Sequence, residues 1–91
     1  KVLLIEDDIK ISDLVKNSLL DEGYVVDQAF DGEEGYFKIL ENQPDLIILD
    51  IMIPKIDGLE VCKLIRQDQS FKETRIIFLS AKGEEEDKAA R

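Results

Sequence analysis

The sequence contains no histidine and no tryptophan, and it has only one cysteine and two prolines among 91 residues. The absence of histidine removes both the most common general base and the most common transition-metal ligand. The single cysteine, Cys62, excludes a disulfide within the chain, and its place in a helical apolar pattern predicts a small core residue. Any metal site here would therefore rely on oxygen ligands.

Basic residues are also scarce, with 12 Lys and Arg against 21 Asp and Glu and a net charge of −9. This balance argues against a direct nucleic-acid contact by this segment, because phosphate contacts need clustered Lys and Arg. No run approaches the roughly 20 apolar residues of a membrane span, and the N-terminal apolar run is too short for a signal peptide. We therefore expect a cytoplasmic protein without a membrane partner, and the length predicts one domain covering residues 1–91.

The stretch at residues 45–58 organises the chain. Its first part, 46–49, is an uninterrupted apolar run, which predicts a strand buried on both faces of a parallel sheet. The run stops at Asp50, where a buried strand reaches the surface. Pro54 and the pair Asp57-Gly58 then turn the chain. Asp57 followed by Glu60 has the form of a capping box, so a helix is predicted to begin here.

Strand and helix patterns alternate along the rest of the chain. A first strand, 2–5, ends in Glu6-Asp7-Asp8, and the helix after it is predicted to end at Gly23. Helical spacing in this first helix is kept by Ile11, Leu14, Val15, Ser18 and Leu19. Asp31 with Glu34 repeats the capping-box pattern, so a second helix is predicted after Asp31-Gly32. The further elements are an edge strand at 24–29, a helix with Val61, Cys62 and Ile65, a strand at 76–79 and a helix start at 82–91.

This alternation predicts a three-layer, doubly wound α/β fold with parallel strands in the order 2-1-3-4. In that order the switch point lies between the first and third strands. Those two strands end in Glu6-Asp7-Asp8 and in Asp50. The acidic residues are therefore predicted to meet in one crevice.

Several carboxylates packed together repel one another, so such a cluster needs a cation or protonation. Oxygen ligands alone select a hard ion, and Mg²⁺ is the natural candidate. Asp8 can be either a member of this cluster or the N-cap of the first helix. Beside Mg²⁺, a carboxylate such as Asp50 could attack phosphorus and form an acyl phosphate, and Ser80 could donate its hydroxyl to a phosphoryl oxygen.

The segments VLLIEDD (2–8), LIILDIMIPKIDG (46–58) and IIFLSAKG (76–83) together resemble the receiver domains of two-component response regulators. The resemblance implies a flavodoxin-like fold with Asp50 as the acceptor of a phosphoryl group from a sensor histidine kinase. It also implies Mg²⁺ bound by Asp7 and Asp50, by Glu6 through water and by the backbone carbonyl of Met52. Ser80 corresponds to the residue that swings toward the phosphoryl group, and Ala81 to the small residue beside it.

The sequence departs from the family pattern at its end. It stops at Arg91, before the fifth strand, the fifth helix and the family's lysine, and neither Lys55 nor Lys82 matches that lysine. We expect a piece of a longer chain, or a strand-exchanged oligomer formed through the exposed edge of the fourth strand. The resemblance further implies an output domain or a receiver dimer partner. The tail is similar to regulators with winged-helix DNA-binding outputs, which implies control of transcription.

The sequence lacks features that two other functions would require. A phosphohydrolase of the aspartyl-phosphate type would need a second acid two residues after Asp50, where Met52 stands. A dinucleotide- or flavin-binding domain would need a glycine-rich loop after the first strand, which is missing. A structural interaction module without phosphorylation stays open as the alternative. We expect a signalling domain that transfers a phosphoryl group to itself, and no enzyme with an outside substrate.

Overall fold

The computed structural model describes residues 1–79, so Ser80 and the predicted helix start at 82–91 lie outside the described residues. The elements are β1 (Val2–Ile5), α1 (Ile9–Asp21), β2 (Val26–Ala29), α2 (Gly32–Asn42), β3 (Leu46–Asp50), α3 (Gly58–Arg66), a short 3-10 helix (Gln69–Phe71) and β4 (Arg75–Leu79). The predicted alternation of strands and helices is confirmed within this range. The 3-10 helix lies in a segment without a predicted element.

The four described strands form one parallel sheet in the order β2-β1-β3-β4, as predicted. Ile5 of β1 is level with Ala29 on one side and with Leu49 on the other. The residues that follow Ile5 and Leu49 therefore lie side by side at the same edge of the sheet. This register brings Glu6 next to Asp50 at the carboxyl ends of β1 and β3.

Alternate residues of the central strands support two apolar clusters, one on each face of the sheet. Leu3, Ile5, Ile47 and Leu49 belong to the cluster that contains Ile39 of α2 and Val61 and Ile65 of α3. Val2, Leu4 and Ile48 form the other, against which Val15 and Leu19 of α1 pack. Three layers result, with α2 and α3 on one face and α1 on the other. Cys62 is half-buried against the first cluster.

The predicted inner face of α1 is partly wrong. Leu14 is 68% exposed and Ser18 is exposed as well, whereas Ser12 is fully buried. The hydroxyl of Ser12 is accommodated because the side-chain amide of Gln28, on β2, donates a hydrogen bond to its Oγ at 2.8 Å. A hydrogen-bonded polar group can be buried at little cost. Apolar spacing alone did not indicate this contact.

The ends of the elements follow the predicted local chemistry. Asp31 accepts from the backbone N–H of Glu34 at 2.8 Å, and Asp57 accepts from that of Glu60 at 2.9 Å. Both carboxylates therefore cap helix N-termini. Gly23 has a φ of +93°, two residues after the end of α1, and so stops this helix as predicted. Within residues 1–79, no helix is long and apolar enough to cross a membrane.

Three predicted strand boundaries differ from the observed ones, and one of them is that of β4, predicted at 76–79, which begins one residue earlier at Arg75. The predicted strand at 24–29 begins only at Val26, because the N–H of Tyr24 bonds back to the carbonyl of Leu19 at the end of α1. The predicted run at 46–49 is one residue longer, because Asp50 still pairs with Leu79 of β4. The backbone of Asp50 is thus part of the sheet.

Candidate functional site

The site is built from the ends of two neighbouring strands. Glu6 directly follows β1, and its N–H donates to the carbonyl of Ala29 at 3.1 Å, which extends the pairing by one residue. Asp50 is the last residue of β3. The backbones of both acidic residues are therefore fixed by the sheet. Asp7 follows Glu6 in the connection to α1.

The side chains of Glu6, Asp7 and Asp50 converge as the topology predicts. One carboxylate oxygen from each of the three lies within 4.8 Å of the others. Glu6 and Asp50 are almost fully buried, at 1% and 2% exposure, whereas Asp7 is exposed. The cluster thus has a buried side formed by two carboxylates and an open side at Asp7, through which a ligand could enter.

The donor set of this cluster fits a hard divalent cation. Carboxylates held this close repel one another, and burial of two of them limits the screening by water. Among the described residues the group contains only oxygen donors, which suit Mg²⁺ better than Zn²⁺ or Cu²⁺. Asp7 and Asp50 would supply direct ligands, and the exposed side would leave positions for water and phosphate. The metal site itself stays a prediction.

Asp8 has a different role from its two acidic neighbours. Its Oδ1 accepts from the backbone N–H groups of Lys10 at 3.0 Å and Ile11 at 3.2 Å, so it is the N-cap of α1. Its own N–H donates to Oε2 of Glu6 at 2.9 Å. Of the two possibilities left open by the sequence, the structure favours the cap. Asp8 supports the site by orienting Glu6.

The loop after β3 is folded tightly around Asp50. The N–H of Met52 lies 3.4 Å from Oδ1 of Asp50, a long contact, and the Met52 side chain is 67% exposed. The N–H of Gly58 donates to the carbonyl of Ile51 at 2.8 Å. A Cβ on Gly58 would lie only 2.3 Å from the carbonyl oxygen of Asp50. Gly58 was predicted as a turn residue, but its close approach to Asp50 was missed, and only the Asp-Gly dipeptide hinted at it.

Of the other residues considered in the sequence analysis, the described structure includes Lys55 but not Ser80 or Ala81. Ser80 and Ala81 lie outside the described residues, although the preceding Leu79 pairs with Asp50 in the sheet. Lys55 is 3.7 Å from carboxylate oxygens of both Asp31 and Glu33, at the start of α2. The roles predicted for Ser80 and Ala81 stay predictions.

Comparison with known proteins gives a consistent result. Residues 2–91 match the family model described as the response regulator receiver domain. The chain is 44% identical over 88 residues to the DNA-binding dual master transcriptional regulator RpaA of Synechocystis, a match covering 97% of this chain and 36% of that protein. It is 43% identical over 90 residues to the response regulator ArlR of Staphylococcus aureus, covering 99% of this chain and 40% of that protein. It thus spans about two fifths of the length of these relatives.

Solved structures of other response regulators have the same fold as this chain. The receiver domain of the Francisella response regulator 1452 has a TM-score of 0.83 and 36% identity, with coverage of 98% of this chain and 72% of that chain. The chemotaxis response regulator CheY4 of Vibrio cholerae has a TM-score of 0.82 and 35% identity, with coverage of 97% and 77%. The chain therefore has the flavodoxin-like α/β fold of receiver domains, with the same sheet order and with helices on both faces of the sheet.

Proposed function

Because the chain belongs to the family of response regulator receiver domains, we propose that Asp50 accepts a phosphoryl group and that this modification is its signalling reaction. One observation carries the proposal: oxygens of Glu6, Asp7 and Asp50 lie within 4.8 Å of one another where β1 and β3 end. A buried acceptor beside two further carboxylates is suited to phosphoryl transfer that is assisted by a divalent cation.

In the proposed step a carboxylate oxygen of Asp50 attacks the phosphorus of a phosphohistidine on a sensor kinase. The new P–O bond forms as the P–N bond of the phosphohistidine breaks. The electron pair of the P–N bond goes to the imidazole nitrogen, which takes up a proton from water. A bound Mg²⁺ would neutralise charge on the transferred group. The backbone pairing of Asp50 with Leu79 holds the attacking residue in place, and burial limits competing water.

The residues around Asp50 would divide the remaining tasks. Asp7 and Asp50 would bind Mg²⁺ directly, Glu6 through water, and Met52 through its backbone carbonyl. Asp8 would keep Glu6 oriented through the hydrogen bond from its N–H. The hydroxyl of Ser80 would donate a hydrogen bond to the phosphoryl group. This new contact would change the conformation at the end of β4.

The wider role follows from the relatives by analogy. RpaA is named as a DNA-binding transcriptional regulator and ArlR as a response regulator, and this chain spans about two fifths of each. We therefore propose a cytoplasmic signalling segment whose phosphorylation controls an attached DNA-binding output or a receiver dimer, and with it transcription. The chain modifies itself and turns over no outside substrate.

Intact-mass spectrometry after incubation with acetyl phosphate and Mg²⁺ tests the proposal. We expect one phosphoryl adduct on the wild-type chain and none on Asp50→Asn. Asp57→Asn is the matched control, because Asp57 is an exposed carboxylate in the same loop and Asn is an equally good N-cap. This variant should take up the phosphoryl group normally.

Two other results would contradict the proposal. An adduct that persists in Asp50→Asn would place the acceptor elsewhere. No adduct on the wild-type chain, under conditions that phosphorylate a receiver control, would favour the alternative of an interaction module without phosphorylation.

A further inference from the structure

The first turn of α2 is in close contact with the loop that follows Asp50. The backbone N–H of Gly32 donates to the carbonyl of Pro54 at 3.0 Å, which joins the start of α2 to the loop after β3. A Cβ built on Gly32 would be 1.7 Å from the carbonyl oxygen of Ile56. That neighbour is backbone, so any larger residue must push the loop and the helix apart. The φ of Gly32 is not positive, so the requirement for glycine is steric.

The same turn of α2 also contacts the end of β1. A Cβ on Gly35 would lie 2.6 Å from Cδ1 of Ile5, the residue immediately before Glu6. Gly32 and Gly35 are three residues apart and therefore share one face of the helix. Both are buried. This face thus reaches the strand that leads to Glu6 and the loop that leads away from Asp50.

A pair of ionic contacts accompanies the backbone contact. Lys55 has a φ of 71°, in the left-handed region that non-glycine residues seldom adopt. Its Nζ lies 3.7 Å from carboxylates of Asp31 and of Glu33. Because Lys55 is 58% exposed, these pairs are weak, and we assign the main contribution to Gly32.

We propose that the first turn of α2 is a positioning element for the acidic site. The sheet fixes the backbones of Glu6 and Asp50, and this turn sets how far the loop after β3, which carries Met52, lies from the end of β1, although the turn contributes no ligand itself. This inference rests on the proposed function, because it concerns the Mg²⁺ and phosphoryl site described above. The physical reason is that Mg²⁺ demands near-ideal octahedral geometry and tolerates little displacement of its ligands.

Gly32→Ala is the direct test, with Mg²⁺ affinity measured by isothermal titration calorimetry on the complete chain. Alanine is a better helix former than glycine, so local propensity alone would stabilise α2. We expect a Kd for Mg²⁺ that is raised on the order of tenfold, because displaced ligands cannot complete the octahedron. The rate of adduct formation with acetyl phosphate should fall in parallel.

A matched destabilised variant separates positioning from general loss of stability. Ile39→Val shortens a fully buried side chain one turn after Gly35 in the same helix, so it destabilises the packing by roughly 0.5–1.5 kcal/mol without pushing the loop after β3 away. It should leave the Kd for Mg²⁺ unchanged. An equal rise in Kd in Ile39→Val and Gly32→Ala would overturn the positioning role.

A second variant keeps the test decisive if Gly32→Ala does not fold. Gly35→Ala places its new methyl group 2.6 Å from Cδ1 of Ile5 and 3.0–3.1 Å from Cγ1 and Cγ2, so a side chain and not the backbone must move. We expect a rise in Kd of a few fold, and a return toward the wild-type value in the double variant with Ile5→Val, which removes the Cδ1 in conflict. A Kd for Gly35→Ala equal to that of the wild type would count against the proposal, as would a double variant that is no better than the single one.

The outcomes also separate this inference from the proposed function. A wild-type chain that binds Mg²⁺ but takes up no phosphoryl group would overturn the proposed function alone. Unchanged Mg²⁺ affinity in Gly32→Ala, with normal phosphorylation of the wild type, would overturn the positioning role alone.

Discussion

Replacing Asp50 by asparagine should stabilise the chain in the absence of divalent cations. Asparagine keeps the size of the side chain and its Oδ1, the atom that faces the N–H of Met52. It removes one of three negative charges whose oxygens lie within 4.8 Å of one another. The substitution therefore changes charge while leaving packing almost intact.

The expected size of the effect follows from the geometry. Two unit charges 4.8 Å apart repel by about 3 kcal/mol at an effective dielectric constant of about 20. Hydrogen bonds donated to the carboxylates and the exposure of Asp7 offset part of this repulsion. We therefore expect the free energy of unfolding of Asp50→Asn in EDTA to exceed that of the wild type by about 1–2 kcal/mol. That difference corresponds to a rise in melting temperature of roughly 4–16 °C for a domain of this size.

Mg²⁺ should reverse the order of stability. At a hundred times its Kd, a ligand that binds only the folded state adds about 2.7 kcal/mol, which exceeds the advantage of Asp50→Asn in EDTA. The wild type should gain this increment and Asp50→Asn much less of it. Urea unfolding followed by circular dichroism, in EDTA and in MgCl₂, measures both quantities, with Asp57→Asn as the control for loss of one exposed carboxylate.

Repulsion among the three carboxylates would not be what limits stability if Asp50→Asn were no more stable than the wild type in EDTA while Asp57→Asn matched the wild type. The same conclusion would follow if Mg²⁺ stabilised wild type and Asp50→Asn equally. The first result would mean that the hydrogen bonds around Asp50 already outweigh the repulsion.

Three further predictions concern single side chains. Asp8→Ala should lower the free energy of unfolding by about 1 kcal/mol in urea titrations, because α1 loses its N-cap, and Asp8→Asn should restore it. Met52→Ala should leave the Kd for Mg²⁺ unchanged in calorimetry, because the side chain is 67% exposed and the predicted ligand is the backbone carbonyl; a large rise would assign a role to the thioether. Leu49→Ala should cost about 2–5 kcal/mol, seen as a lower urea midpoint, because the side chain is fully buried in the central strand.

Much of the site could be predicted because it depends on local patterns. The apolar runs at 2–5 and 46–49 stop abruptly at acidic residues, and strand alternation with helices implies a parallel sheet whose carboxyl ends share one edge. With the strand order 2-1-3-4, these two facts predict that Glu6, Asp7 and Asp50 meet in one crevice. The caps Asp31 and Asp57 were likewise predictable, because each carboxylate accepts from an N–H only three residues further along the chain.

Contacts between distant segments were decided only by the tertiary structure. The sequence left Asp8 open between metal ligand and N-cap, and the orientation of the first turn of α1 settled it as the cap. Ser12 took a buried place beside Gln28 while Leu14 stayed exposed, because a hydrogen bond from another strand outweighed the apolar pattern.

Two glycines, Gly32 and Gly58, show most clearly what local sequence predicts and what only the tertiary structure decides. Gly32 and Gly58 are recognisable in the sequence as members of Asp-Gly turns, since a dipeptide reports its own backbone preference. That each must also lack a Cβ, because a carbonyl oxygen of Ile56 or of Asp50 occupies the space, depends on how two loops meet in three dimensions. Local sequence determined which elements form and where the acidic residues leave the sheet. Only the packed structure determined how closely the loops around those residues are held, because such distances are set by the whole fold rather than by neighbours along the chain.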